Sequence, residues 1–393
     1  MAVTPFRTRR LLLSMTAFAL LYLLLHLVYV SNQCKRSAIS SIQPAQTSLS
    51  SVSREMYSTM CLEGINIVVV GGDDGSRRDQ RTATKARSDD TCTIPKLNVN
   101  GSEVRRFFHP VNPLKCKGEE NWVRIEEGRV RFDDKRKDAL CSATTIERIS
   151  DKRITEGRKV AVKEGDRLPS DHVIFTCNQG GVSWTGLGQT VVAKADVLAR
   201  AKKAEKAGEG DAKMNVLIMS FDSLSQMSFR RKLPKSVKVL EEELGALVMN
   251  GYNIVGDGTP QAFIPILTGS TEEELPLTRK RYKTASYLDQ VYPLIWKDFE
   301  RKGYATLFGE DTADVGMFTY RLKGFKNRPT DHYPNSYYVK AESFEKSPFL
   351  CAGSEPMYKS WFRYTKDFMR EYASVPKFGL MHLARYSHDD INL

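Results

Sequence analysis

The sequence predicts an α/β fold, in which a mostly parallel sheet is flanked by helices and preceded by a transmembrane anchor and a small cysteine-containing domain. Three observations predict it. From Asn215 onward, apolar strand-like runs alternate with helical patterns, the order that builds a parallel sheet. Residues 11–30 form an uninterrupted apolar run. Six of the seven cysteines lie in the N-terminal half.

The apolar run LLLSMTAFALLYLLLHLVYV at 11–30 contains no charged residue and is long enough for one membrane-spanning helix. Arginines precede it, which favours residues 1–10 as a cytoplasmic tail and the rest of the chain on the other side of the membrane. A cleaved secretory signal is the alternative, but the run is long for one and no small-x-small site follows it. Both interpretations place the chain in the secretory pathway, in the Golgi or at the cell surface.

The composition narrows the class of protein further. The chain has 393 residues with 59 Lys and Arg against 47 Asp and Glu, a net charge of +12. Its mean hydropathy of -0.39 excludes a multi-span membrane protein, and the 41% of hydrophobic residues excludes a wholly disordered chain. The basic residues are spread along the chain and the compartment is lumenal, so nucleic acid is not an expected partner. A solvated surface, or an acidic glycan or lipid surface, fits the charge better.

The cysteines favour disulfides, because none of them has the spacing of a zinc site. The spacing leaves the connectivity open, and Cys351 stands alone near the end. Asn100-Gly101-Ser102 is an acceptor sequence for N-glycosylation. The disulfide candidates are Cys92, Cys116, Cys141 and Cys177.

The domain organisation follows from shifts in composition. Residues 31–90 are rich in Ser and charge and predict a stem or disordered segment, although Ile65 to Val70 is strand-like. Residues 91–190 predict a cysteine-containing lumenal domain. Residues 191–213 are rich in Ala, Lys and Glu and predict a helical linker. Residues 214–393 predict the α/β core.

Within the core, apolar runs mark strands and amphipathic periodicity marks helices. Predicted strands cover 216–221, 246–252, 304–308 and 378–384. Predicted helices cover 234–244, 263–267, 288–302 and 357–372.

Three residues lie where sites form in such sheets, beyond the carboxyl ends of strands. Asp222 ends the first core strand and could bind a metal ion, although it could equally be a helix cap. Thr259 precedes a short apolar helix, whose N-terminus suits a phosphate or sulfate group; a Thr before Pro is also an ordinary helix start. His388, beside Asp389 and Asp390, could bind a metal or an oxyanion, or lie in a solvated turn.

The order of these residues resembles the alkaline-phosphatase-like superfamily, in which an Asp ends the first core strand and a nucleophile at a helix start is followed nine residues later by Thr-Gly. Thr259 and Thr268-Gly269 have that spacing. The sequence is most similar to a sulfatase-like family of unknown function, DUF229, over roughly residues 90 to 393. The stretches that carry the resemblance include VLIMSFDS at 216–223, PK at 234–235, LEEELGA at 240–246, GYN at 251–253, IWKDF at 295–299, ED at 310–311, PTDHY at 329–333 and SHDDIN at 387–392.

The resemblance implies a phosphate or sulfate ester hydrolase or transferase, whose substrate would be a phosphorylated or sulfated glycan or another anionic ester. It also implies Thr259 as nucleophile, Asp222 and His388 as metal ligands, and a divalent metal such as zinc or calcium. The sequence departs from sulfatases proper at Ser223, where those enzymes have a second Asp, and at Thr259, where they have a modified Cys. Relatives also carry an Asn where Ala262 stands. The superfamily takes further metal ligands from a later segment, and the sequence ends at Leu393 before one. We therefore expect low activity, a catalytically silent binding or scaffold protein, or an incomplete gene-derived sequence of an active hydrolase.

Overall fold

The computed structural model describes residues 95–208, 214–344 and 350–392, together with the backbone of Ile65–Val69. These residues belong to one compact unit, Met60–Leu393. The predicted anchor at 11–30 and most of the predicted stem lie outside the described residues. Among the helices that are described, none is long and apolar enough to cross a membrane.

Most strands of the described chain belong to two four-stranded sheets. The N-terminal part of the described chain is mostly antiparallel strands, and the C-terminal part alternates strands with helices, as the apolar patterns predict. The strands are β1 (Ile65–Val69), β2 (Val123–Glu126), β3 (Arg129–Phe132), β4 (Leu140–Ser150), β5 (Arg153–Val162), β6 (His172–Gln179), β7 (Val182–Gln189), β8 (Asn215–Phe221), β9 (Ala305–Glu310), β10 (Cys351–Ala352), β11 (Glu355–Pro356) and β12 (Lys377–Leu383). The helices are α1 (Ser102–Arg105), α2 (Ala195–Lys206), α3 (Gln226–Lys232), α4 (Pro234–Lys238), α5 (Thr259–Thr268), α6 (Leu288–Val291), α7 (Ile295–Arg301), α8 (Asn335–Phe344) and α9 (Met357–Glu371).

The parallel sheet has the order β1-β8-β12-β9, and every adjacent pair is parallel. Successive side chains of its strands point to opposite faces, and both faces are covered by helices. Phe308 and Leu380 pack with α5 and α7, whereas their neighbours Leu307 and Met381 pack with α8 and α9. This burial on both faces explains why the strands read as continuous apolar runs.

A second sheet, of order β5-β4-β6-β7, is antiparallel throughout. It shares an apolar cluster with the hairpin β2-β3, in which the rings of Trp122 and Trp184 stack with centroids 6.2 Å apart. The structure therefore confirms a mixed α/β chain in which a parallel sheet is flanked by helices.

The disulfide prediction is confirmed for three of the four candidates. Cys141 pairs with Cys177 across adjacent strands, at a Cα–Cα distance of 4.1 Å. Cys116 pairs with Cys351, at 5.7 Å, so Cys351 is not left alone. Cys92 lies outside the described residues. The Cys116–Cys351 bond ties the start of the described chain to β10, a contact that the spacing of the cysteines could not predict.

The predicted helix over 288–302 is two helices, α6 and α7. Pro293 separates them because proline has no N–H to donate and disfavours a helical conformation at the preceding residue. Tyr292 is accordingly extended, with φ -95° and ψ 136°.

The predicted strand over 246–252 is wrong: these residues form no strand. Leu247 is 91% exposed and Met249 65% exposed, and no described strand pairs with this apolar run. By contrast, the strand-like run that begins at Ile65 is a strand, β1, and pairs with β8 instead of belonging to the stem.

The helix within 191–213 is confirmed as α2, but it is more than a linker. Val197 and Ala201 on one side of α2 are buried, and Val197 belongs to the apolar cluster under β9. The helix therefore covers part of the parallel sheet.

Candidate active site

The carboxyl ends of two parallel strands, β8 and β9, bring acidic residues to one edge of the sheet, beside the end of β12. Asp222 follows β8 directly, and its backbone N–H donates to the carbonyl of Leu383 at the end of β12 (2.9 Å). Asp311 follows β9 and accepts from the N–H groups of Ala384 and Arg385, at 2.7 and 3.2 Å. The chain segments that leave the three strands are thus bonded to one another, and these bonds fix the backbone from which the Asp222 side chain extends.

Thr259 is brought to Asp222 by α5. Gly258 is the N-cap, and Thr259 is the first residue of the helix, with Pro at the next position. The Thr259 Oγ1 atom lies 3.3 and 3.4 Å from the two carboxylate oxygens of Asp222 and donates to them. Two residues 37 positions apart, which the sequence predicted separately, therefore form a hydroxyl–carboxylate pair at the N-terminus of a helix.

The turn around this pair has unusual backbone conformations. Ser223 has a positive φ of 53°, which few residues other than glycine adopt. Gly258 has a φ of 121°, where a side chain would be strained. These two conformations flank Asp222 and Thr259 and set the directions from which their side chains meet.

His382 adjoins the pair from the sheet. Its ring is buried in β12, and Nδ1 lies 2.8 Å from Ser220 Oγ. Its Nε2 lies 3.5 Å from Asp222 Oδ2 and has no hydrogen-bond partner among the described residues. The ring of Phe263, from α5, packs against it edge-on, with centroids 5.2 Å apart. A buried nitrogen without a partner, directed at a candidate catalytic carboxylate, marks His382 as part of the site.

The charge of Asp222 is set by competing effects. Burial raises the pKa of its carboxyl group, but the nearby imidazoles of His382 and His388 and the bond from Thr259 lower it by more. The net pKa lies below its ordinary value. Asp222 is therefore ionised at neutral pH, which is the form that accepts the Thr259 hydrogen bond.

A second acidic residue, Glu310, is the last residue of β9 and lies at the same edge of the sheet. Glu310 is buried, and both of its oxygens accept from the N–H of Met317, at 2.7 and 2.9 Å. Burial raises the pKa of Glu310 well above its ordinary value, and the neighbouring charges of Asp311 and Asp222 raise it further. Glu310 thereby favours the protonated form next to an ionised Asp222.

The segment that carries His388 is held by its neighbours. Ser387 Oγ donates to the backbone carbonyl of Asp222, which fixes the segment beside the site. The His388 side chain itself is 58% exposed, and its Nδ1 lies 2.6 Å from Asp389 Oδ1. Farther along, Asn392 accepts from Lys232 Nζ at 2.9 Å, so the end of the described chain is anchored to α3.

Sequence reasoning placed Asp222, Thr259 and His388 near this edge but missed His382. One signal could have found it: a lone histidine in the strand KFGLMHL, close to the strand's carboxyl end. The sequence also missed Ser220, which precedes Asp222 by two residues and therefore points to the same side of β8.

The described residues do not make a complete metal site. They contain no group of three or more His, Cys, Asp or Glu side chains arranged to hold a cation. The donors closest to the pair are the Asp222 carboxylate and the unpartnered Nε2 of His382. These two residues would hold one edge of a cation, but not the four or more ligands that zinc or calcium takes.

The fold and the site define an α/β protein with a hydroxyl–carboxylate pair at the carboxyl edge of a parallel sheet. A family model described as "Protein of unknown function (DUF229)" matches residues 85–393. The chain therefore belongs to the DUF229 family. Comparison with curated proteins and with solved structures found no match.

Proposed function

We propose that this protein is a sulfatase- or phosphatase-like member of the alkaline-phosphatase-like superfamily, and that its site binds the phosphate or sulfate group of an anionic ester at Thr259. The contact between Thr259 Oγ1 and the ionised carboxylate of Asp222 is the observation that carries the proposal. The free N–H groups at the start of α5 and its positive dipole end favour an anion at the same place.

The reaction at such a site is a transfer to the threonine hydroxyl. The Thr259 Oγ atom forms a bond to phosphorus or sulfur, the bond to the ester oxygen breaks, and the hydroxyl proton passes to Asp222. The leaving oxygen takes a proton from water, and the hydroxide that remains removes the proton from Asp222. A second water then cleaves the threonine ester: its oxygen joins phosphorus or sulfur, one of its protons passes to the threonine oxygen, and phosphate or sulfate is released. Asp222 directs the hydroxyl and receives its proton, and the backbone conformation at Ser223 holds Asp222 in position.

Resemblance to the superfamily implies a divalent metal such as zinc or calcium, which would lower the pKa of the nucleophile and neutralise the transferred group. Asp222 and His382 would contribute ligands from the described residues, and His388 lies in a segment bonded to Asp222. Because this donor set is incomplete, no step is assigned to a metal.

A catalytically silent binding protein is the second candidate, and the incomplete donor set favours it. Such a protein would hold the anionic ester at Thr259 without cleaving it. In both cases the protein would be anchored by its N-terminal helix, with the site in the lumen of the secretory pathway or outside the cell.

The two candidates are separated by assaying the full chain in neutral detergent on aryl phosphate and aryl sulfate esters, with zinc, calcium or magnesium added. Thr259→Val keeps the shape of the side chain and removes the hydroxyl, and Thr259→Ser keeps the hydroxyl. If Thr259 is the nucleophile, turnover falls by a hundredfold or more in Thr259→Val and survives in Thr259→Ser. Thr284→Val, at an exposed loop position, is the matched control and should not change turnover.

Absence of turnover in the unmodified chain, together with binding of the same esters, would favour the silent protein. Turnover that persists in Thr259→Val would contradict the nucleophile, and neither turnover nor binding would contradict both candidates.

A further inference from the structure

A basic cavity lies beside the candidate active site. It has a volume of about 470 Å³ and is lined by five residues, of which four are cationic. The lining residues are Arg279, Lys280, Arg281, Tyr320 and Arg321.

Backbone hydrogen bonds hold the two segments that form the cavity together. The N–H of Lys280 donates to the carbonyl of Arg321 at 3.1 Å, and the N–H of Lys323 donates to the carbonyl of Thr278 at 2.9 Å. Arg279 and Leu322 form an antiparallel bridge between them. The cations are thus carried by a fixed backbone, so a ligand that binds here orders their side chains but need not order the backbone.

Only one of the four cations is neutralised within the described part of the chain. Arg279 makes two bonds to Glu272, at 2.6 and 2.7 Å. No described carboxylate lies within ion-pair distance of Lys280, Arg281 or Arg321, and all three are exposed. Like charges held close together on a fixed backbone repel one another, and a multivalent anion would relieve that repulsion.

The cavity reaches the site through Arg321. Its Nη1 atom lies so close to the backbone of Gly258 that a Cβ atom built there would be 3.5 Å away. Gly258 is the residue directly before Thr259, and the space that a side chain would fill at Gly258 is shared by the Arg321 guanidinium and the side-chain amide of Gln261. A ligand that placed one anionic group at Thr259 could therefore place a second one in the cavity.

Aromatic rings stand among the cations. The ring of Tyr320 is 53% exposed, and Lys280 Nζ lies 5.6 Å from its centroid. Arg281 lies over the ring of Tyr282 at 4.9 Å. Exposed rings next to guanidinium and ammonium groups offer both an apolar face and charge to a ring-shaped anion.

We propose that this cavity is a second anion subsite, and that the ligand of the active site is a molecule carrying at least two sulfate or phosphate groups. The inference rests on the proposed function for its first subsite, the one at Thr259. Arginine binds both anions through paired hydrogen bonds, so sulfate and phosphate share the chemistry of recognition.

The test is calorimetric titration of the full chain in neutral detergent with three probes: sucrose octasulfate, inositol hexakisphosphate and inorganic sulfate. We expect at least one polyanion to bind tenfold or more tightly than inorganic sulfate. The variant Lys280→Gln/Arg281→Gln/Arg321→Gln should weaken that binding by about tenfold or more. The matched control, Lys202→Gln/Lys203→Gln/Lys206→Gln, removes the same charge from exposed positions of α2 and should change it by less than twofold.

Comparison of the two polyanions distinguishes a sulfated from a phosphorylated ligand. Arg321→Lys, which keeps the charge but not the planar fork, should lie between the unmodified chain and the triple variant. If the midpoint of thermal unfolding is the same in each variant as in the unmodified chain, the loss of binding is a local effect and not a loss of folding.

The proposal is overturned if the triple variant binds the polyanions as tightly as the unmodified chain, or if both triple variants weaken binding equally. Comparing binding with turnover separates the two claims. Polyanion binding that depends on the cavity, in an unmodified chain that shows no turnover, would support the subsite and contradict the hydrolase. Turnover that is lost in Thr259→Val but keeps its rate and KM in the cavity variant would support the hydrolase and contradict the subsite.

Discussion

At the scale of the residue, His332 is fully buried and engaged at both ring nitrogens. Nδ1 lies 2.6 Å from Asp171 Oδ2, and Nε2 lies 2.7 Å from the hydroxyl of Tyr372. The preceding residue, Asp331, accepts from Arg200 of α2 at 3.1 and 2.6 Å. The stretch at 329–333 that carries part of the family resemblance therefore bonds the antiparallel sheet, α2 and α9 together, and its role in the structure is stability.

Replacing His332 by Ala is expected to lower the free energy of unfolding by about 3–5 kcal/mol, because it removes the imidazole from the buried carboxylate of Asp171 and leaves that carboxylate only the Val192 N–H and the Tyr364 hydroxyl. Urea denaturation followed by circular dichroism measures the change. His109→Ala, at an exposed position, is the control and should change stability by less than about 0.5 kcal/mol. Equal stability of the two variants would show that Asp171 is satisfied without the imidazole.

A second buried histidine makes stability depend on pH. Burial lowers the pKa of His172 to about 4, against an ordinary value of 6.5, while the charge of Asp171 raises it and Lys194 and His332 lower it. The folded pKa lies below the unfolded one, so the unfolded chain takes up a proton first as the pH falls. The contribution of a neutral His172 is complete above about pH 6.5 and is lost progressively down to pH 4.

The expected loss is roughly 3 kcal/mol over that range, from 1.36 kcal/mol for each pH unit between the two pKa values. His172→Gln removes the titrating group, so unfolding free energies measured at pH 7, 5.5 and 4.5 should decline less steeply in this variant. Parallel declines in both proteins would assign the acid sensitivity to other groups.

At the scale of the element, α9 shows how periodicity decides packing. Trp361, Tyr364 and Phe368 recur at spacings of three and four and are all fully buried against the sheet. Phe362, the residue after Trp361, is 42% exposed. The difference follows from geometry: neighbouring residues on a helix are 100° apart, so Trp361 and Phe362 cannot both point directly at the core.

The disulfide from Cys116 to β10 joins elements that are 235 residues apart, whereas the Cys141–Cys177 bond spans 36 residues. Closing a longer loop removes more entropy from the unfolded chain, about 5 kcal/mol for the first and about 4 kcal/mol for the second. Cys116→Ser/Cys351→Ser should therefore lower the midpoint of thermal unfolding at least as much as Cys141→Ser/Cys177→Ser. A midpoint unchanged from that of the unmodified protein would mean that the long connection is held by packing alone.

At the scale of the whole molecule, the uninterrupted apolar run at 11–30 predicts an integral membrane protein with its site on the lumenal side. Asn100 is exposed in a turn where its N–H bonds to the side chain of Asn98, so the acceptor amide is accessible. Glycosidase treatment should shift the mobility of the protein by one glycan, and Asn100→Gln should abolish the shift. Release of the protein by carbonate extraction would rule out the anchor.

Much of the architecture was predictable because it depends on local patterns of apolar residues. The strands of the parallel sheet are apolar on both faces, and α9 has a clear helical period, so each was predicted to within a few residues. The strand expected over 246–252 failed because an apolar run forms a strand only when a neighbour accepts its hydrogen bonds. The break at Pro293 was readable from the sequence, but the periodic residues around it favoured one continuous helix.

The residues of the candidate site were likewise predictable only in part. Asp222 and Thr259 were predicted because the end of a strand and the start of a helix are local features. His382 and the basic cavity were not, because each joins residues that are distant in the sequence: His382 to Asp222, and Arg321 to Gly258.

The sequence by itself determined the class of fold, the family resemblance and the two residues of the hydroxyl–carboxylate pair, since these depend on composition, periodicity and short motifs; the compartment stays a prediction. Only the tertiary structure decided that Cys116 pairs with Cys351, that His332 bonds to Asp171, and that Arg321 of the basic cavity lies beside Gly258. The physical reason is that pairing, burial and electrostatic fields depend on distances in space, which strand order and helix packing fix and which sequence separation does not.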